Sequence, residues 1–120
     1  MEVSRGDTSS VPLDSTYVEA FADPDFTVLV KRSTVEYVYP DGLVAVIQNF
    51  WLPDGTYYVR AWKDADGDGT VSSGDLYGIF CGEGVYECPE PAPLSVEMEG
   101  YYHRDILVDI TVKRIVTRRR

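Results

Sequence analysis

The sequence predicts an all-β fold: an antiparallel sandwich of about seven short strands, with one long acidic loop inserted between two of them. Hydrophobic residues recur with a period of two, as in strands with one buried and one wet face, and no stretch shows a convincing helical period. Turn residues punctuate this alternation at short intervals, as they do in sandwiches. A length of 120 residues suits one domain, and a hydrophobic content of 44% suits a folded one.

The polar opening, residues 1–15, reads as a flexible tail ahead of a β domain over residues 16–116; the basic residues 117–120 read as a second tail. Residues 17–21 suit a strand. Phe26, Val28 and Val30 then alternate with Thr27, Leu29 and Lys31. Strands follow at 34–39, 43–50, 56–63 and 76–81. Pro40-Asp41-Gly42 and Pro53-Asp54-Gly55 separate some of them, with φ preset at Pro and free to turn positive at Gly. Leu94, Val96 and Met98 alternate with Ser95, Glu97 and Glu99. Ile106, Val108, Ile110 and Val112, interleaved with Leu107, Asp109 and Thr111, give the last and clearest strand.

Charge narrows the partners. Lys+Arg 11 against Asp+Glu 20 gives −9, which argues against nucleic acid, whose binding draws on clustered cations. No apolar run approaches the roughly 20 residues that span a bilayer, so no membrane insertion by this domain is expected. The opening MEVSRGDTSS lacks the apolar core of a signal peptide.

The chemistry sits in residues 64–75, DADGDGTVSSGD. Asp64, Asp66 and Asp68 occupy loop positions 1, 3 and 5, Gly69 position 6, Thr70 position 7, Ser72 position 9 and Asp75 position 12, which is EF-hand calcium-loop spacing. Alternate side chains on a curled loop converge on one point, and Gly69 permits the sharp turn. The Thr70 carbonyl supplies a further oxygen, Ser72 coordinates directly or through water, and Asp75 closes the far side. Val71 at position 8 is expected to pin the loop to the core. Hard oxygen donors without Cys or His suit Ca²⁺ and disfavour Zn²⁺ or Cu²⁺. Asp75 is one methylene shorter than the Glu of the EF-hand pattern, which points to weak binding, about 10⁻⁵ to 10⁻³ M. The opposing reading is a solvated acidic loop that binds nothing. Against it, two carboxylates about 4.5 Å apart repel by roughly 4 kcal/mol at an effective dielectric of 20. Twelve residues is also long for a connection without function.

Strand-like TYYVRAWK before the loop and glycine-rich LYGIFCGEG after it exclude a helix–loop–helix. The stretch LPDGTYYV at 52–59 resembles the L-x-x-G-x-Y corner of immunoglobulin-like and transthyretin-like sandwiches, in which the tyrosine anchors the preceding corner. That places Tyr57, Val59 and Ala61 toward the core, with Tyr58, Arg60 and Trp62 opposite. Over residues 43–112 the chain resembles bacterial surface domains of the transthyretin-like, carboxypeptidase-regulatory type, with an EF-hand-like loop between two strands. The resemblance implies a non-catalytic module.

Cys81 and Cys88 bracket GEGVYE. Two cysteines cannot build a tetrahedral zinc site, and the one histidine, His103, is distant in sequence. With a calcium loop implying an extracytoplasmic setting, a disulfide is favoured over free thiols; it would close a short ring worth roughly 2.5 kcal/mol. His103 has no nucleophile motif beside it, and no hydrolase constellation is visible. Trp51, Tyr58 and Trp62 suit either a sugar-stacking platform or sandwich packing. Arg5-Gly6-Asp7 is read as a chance tripeptide. The expectation is a calcium-stabilised, non-catalytic β-sandwich module of a secreted or surface-attached bacterial protein. It would act as a spacer or interaction domain whose partner is a surface protein or polysaccharide. A carbohydrate-binding module of a secreted enzyme is the alternative.

Overall fold

The computed structural model describes residues 2–6, 11–47, 50, 52–82, 85, 88–96 and 109–114. Trp51, His103, Asp7 of the Arg-Gly-Asp tripeptide, the strand expectation over 106–108 and the tail over 117–120 lie outside them. The fold is all-β. Its strands are β1 (Glu2–Arg5), β2 (Tyr17–Phe21), β3 (Leu29–Thr34), β4 (Tyr37–Val38), β5 (Val44–Val46), β6 (Gly55–Lys63), β7 (Leu76–Ile79), β8 (Leu94–Val96) and β9 (Asp109–Arg114).

Among the described residues these nine strands, against the seven or so expected, join in one path, β3-β2-β6-β7-β9-β1-β5-β4, with β8 on the first residues of β6. The path curls around a single core instead of forming two separately paired sheets; Val3, Val18, Ala45, Val59, Leu76 and Ile110, from six strands, share that core. Among the described residues the pairings are antiparallel except β1 with β9, which is parallel.

The opening segment is the clearest departure from the sequence reading. Glu2–Arg5 is a strand between β5 and β9, with Val3 opposite Ala45 on one side and Ile110 on the other. Val3 and Leu13 are fully buried, so residues 2–6 and 11–15 belong to the folded domain. Two well-placed apolar side chains in a polar stretch are enough to bury it, and composition averaged over fifteen residues hides them.

β3 begins three residues later than the alternation suggests. The Asp23 carboxylate accepts from the N–H groups of Thr27 and Val28 and from the Thr27 hydroxyl, fixing a turn through Phe26 where a strand was expected. Val28, just before β3, and Leu29 and Val30 within it are exposed; among the described residues β3 pairs with β2 alone and ends the path. Other corners follow the sequence. Leu43 N–H donates to Asp41 and Gly42 N–H to the Tyr39 carbonyl, closing the turn between β4 and β5. The Tyr57 hydroxyl donates to the Pro53 carbonyl at 2.6 Å, tying β6 to its preceding corner.

β6, the longest strand described, pairs with β2, β7 and β8. Tyr57, Val59 and Ala61 face the core as expected. On the opposite face Glu19 of β2 is fully buried between Arg32 and Arg60, at 2.6 and 2.9 Å. A buried carboxylate needs such partners, because losing one leaves an uncompensated charge. Gly78 of β7 lets β9 pass: a Cβ there would run into the Thr111 carbonyl. Replacing Gly78 with Ala forces backbone apart and is expected to cost about 1–3 kcal/mol in chemical denaturation. Wild-type stability in that variant would contradict the crossing described.

Candidate metal centre

The loop starts where β6 ends and finishes where β7 begins, so its two end ligands are set by neighbouring strands. Lys63 pairs with Leu76 in the ladder, bringing Asp64 and Asp75 to the same end of the sheet. Asp64, Asp66, Asp68 and Asp75 each offer one oxygen, and these four oxygens lie within 4.8 Å of one another. The four side chains could hold a metal ion. Gly69, with φ of 77°, takes the left-handed turn expected of position 6.

The loop curls by binding its own backbone. Asp64 accepts from Gly67 N–H at 3.0 Å and Gly69 N–H at 2.7 Å. Asp66 accepts from Asp68 N–H, and Asp68 from Thr70 N–H. The Ser72 hydroxyl lies 3.0 Å from Asp66 Oδ2, 2.9 Å from Asp68 Oδ2 and 3.4 Å from Asp75 Oδ2. One hydroxyl proton serves one acceptor at a time, so the remaining carboxylate oxygens face each other with lone pairs to spare. Such a constellation suits a cation. Thr70 is exposed, and its N–H is spent on Asp68.

Asp75 differs from the other three. It has no exposed surface, and it accepts from Trp62 Nε1 at 3.2 Å, Ala65 N–H at 2.9 Å and Ser72 N–H at 2.9 Å. Trp62 was the residue missed: it is 5% exposed, so it does not belong to an open aromatic platform. Its position two residues before the first ligand, on the face opposite Val59 and Ala61, was the available signal. Val71 is 39% exposed, contrary to expectation; the loop is pinned by Asp75 and Trp62 instead. On the far side Lys63 holds the Pro12 carbonyl and the Asp14 carboxylate, so the segment before β2 is tied to the residue preceding the loop.

Crowding separates the acids. Asp66 is raised, first by sharing a hydrogen bond with the Asp64 carboxyl and then by desolvation. Asp68 is lowered by Thr70 N–H and the Ser72 hydroxyl. For Asp75 burial is the largest influence and acts upward, but the donors Ser72, Trp62 and Ala65 together bring it below the ordinary value. Cys81 and Cys88, at the other end of β7, are joined in a disulfide with Cα atoms 5.7 Å apart. Such bonds persist in oxidising compartments. Among the described residues no helix is long and apolar enough to cross a membrane. Comparison of the chain with known protein families, with curated proteins and with solved structures finds no match.

The signs give a pH test. A carboxyl lowered in the fold contributes stability that is present above the ordinary aspartate value of 3.8 and lost as pH falls through its folded value; this applies to Asp68 and Asp75. Asp66, raised, contributes in the opposite sense, losing its stabilisation as pH rises through its folded value. Under chelation the urea midpoint should fall as pH drops below about 4, and Asp75→Asn should flatten that fall while costing about 1–3 kcal/mol at neutral pH. An Asp75→Asn variant with the wild-type midpoint and slope would contradict this assignment.

Proposed function

We propose that the chain is a calcium-stabilised, non-catalytic β module of a secreted or surface-attached bacterial protein. It acts as a spacer or interaction domain, in the manner of the transthyretin-like modules that its loop region resembles. The observation that carries this reading is the convergence of Asp64, Asp66, Asp68 and Asp75 at the β6–β7 junction. Oxygens at about 2.4 Å from a calcium ion lie at most about 4.8 Å apart. A spread within 4.8 Å therefore fits one coordination sphere. Thr70 and Ser72 stand in the loop to complete it through the carbonyl and the hydroxyl.

The ion's role is structural. Four carboxylates against one divalent cation leave about −2, so the site lacks the positive field that polarises a substrate. The Cys81–Cys88 bond supports an extracytoplasmic setting. Burial of Trp62 removes one ring from the platform on which the carbohydrate-binding alternative was built.

Calcium at 100-fold its Kd adds about 2.7 kcal/mol, a Tm rise of roughly 10 °C for a domain of this size. Asp64→Ala and Asp75→Ala should each remove most of that rise in scanning calorimetry. A Tm unchanged between chelator and millimolar Ca²⁺ would overturn the proposal.

A further inference from the structure

β8 is lightly held. Its three residues pair with Gly55, Thr56 and Tyr57, the first residues of β6. Among the described residues those three have no other strand partner, because β2 starts its pairing at Tyr58 and β7 at Arg60. Leu94 and Val96 are only partly buried against the core, as is Ala92 before them. The register sets Leu94 opposite Tyr57, the residue that ties β6 to its corner.

A proline-rich strap leads into β8. Residues 89–93, Pro-Glu-Pro-Ala-Pro, carry N–H groups only at Glu90 and Ala92, and that of Ala92 donates to the Phe80 carbonyl at 3.0 Å. Phe80 N–H in turn donates to the Val59 carbonyl of β6. Upstream the strap is fixed by the Cys81–Cys88 bond, which joins residues seven apart in sequence. Both cysteines are half-buried, and both line a groove of about 730 Å³ beside β7 and β9. The bridge therefore borders space that small molecules enter. Disulfides within reach of solvent are the labile and regulatory ones, and a short ring constrains the unfolded chain less than a long one.

We propose that Cys81–Cys88 is a thiol–disulfide exchange site whose oxidation state sets the docking of β8 on β6. The reductant is a dithiol. One of its thiolates attacks a bridge sulfur, forming a mixed disulfide and expelling the other cysteine as a thiolate. Its second thiolate then closes the reductant's own disulfide and releases the remaining cysteine. The bridge gains two electrons and the two protons that the dithiol gives up, ending as two thiols, while the dithiol is oxidised. Reduction frees the strap from the end of β7. Three ladder positions and the Ala92–Phe80 hydrogen bond then remain to hold β8. The rest of β6 keeps its pairing with β2 and β7, so the opening is local. The inference does not depend on the calcium reading.

Dithiothreitol added to the full chain without denaturant, in millimolar Ca²⁺, tests the proposal through two readouts. Intact mass after iodoacetamide should show two added alkyl groups. Amide exchange should accelerate at least tenfold across Gly55–Tyr57 and Leu94–Val96 and stay unchanged across Tyr17–Phe21. Oxidised dithiothreitol should restore the slow exchange. The double variant Cys81→Ser, Cys88→Ser should reproduce the reduced pattern with no reductant present. A bridge that is reduced only once urea unfolds the chain overturns the proposal. So does a reduced chain whose β8 and Gly55–Tyr57 amides exchange as before, or one that loses protection throughout the sheet.

Discussion

A buried carboxylate is tolerable only when donors surround it, and Asp75 is the buried carboxylate on which the acidic loop depends. Its oxygens take the indole N–H of Trp62 from β6, the backbone N–H of Ala65 at the loop entrance and the N–H of Ser72 near its exit. One side chain thus ties the last residues of one strand, both arms of the loop and the start of the next strand. The other three aspartates, half-buried Asp64 and exposed Asp66 and Asp68, are arranged around this fixed point. Asp64 is fastened to Gly67 and Gly69, and Asp66 and Asp68 meet across the Ser72 hydroxyl. Without Asp75 the loop would be a solvated run of like charges; with it, four carboxylates converge on one small volume.

The same device recurs on the outer face of the sheet. Glu19, also without exposed surface, draws Arg32 and Arg60 onto the aromatic rows, where Arg32 stacks on Tyr17 and Arg60 on Phe21 and Trp62. Trp62 belongs to both arrangements, donating to Asp75 while packing against Tyr17 at 5.8 Å. The acidic loop and the Glu19–arginine cluster are therefore joined through one indole. Each buried acid organises its surroundings: Asp75 anchors the acidic loop, and Glu19 holds two arginines over aromatic rings.

The loop was legible in the sequence because its information is local. Spacing alone identified the aspartates and the glycine turn, and the structure brings those four acids together. The tyrosine corner was legible for the same reason, since Tyr57 and Pro53 are four residues apart. β1 was not, because its evidence is Val3 set against Ala45 and Ile110, partners 42 and 107 residues away in sequence. Trp62 was left between two readings, platform or packing, because alternation assigns a face but not what covers that face; Tyr17, Arg60 and Asp75 cover it here. β3 shows the limit of the period itself. Its alternation is genuine, yet an Asp23 turn and an edge position leave Val28, Leu29 and Val30 in solvent.

The central claim is that an ion held by the loop clamps β6 to β7 through Asp64 and Asp75. Amide hydrogen exchange with millimolar Ca²⁺ and with chelator tests this most directly, because it reads the opening of each strand separately. The account predicts faster exchange on calcium removal across Gly55–Lys63 and Leu76–Ile79, with the β4–β5 turn much less affected. Acceleration confined to residues 64–75, with both flanking strands unchanged, would contradict it.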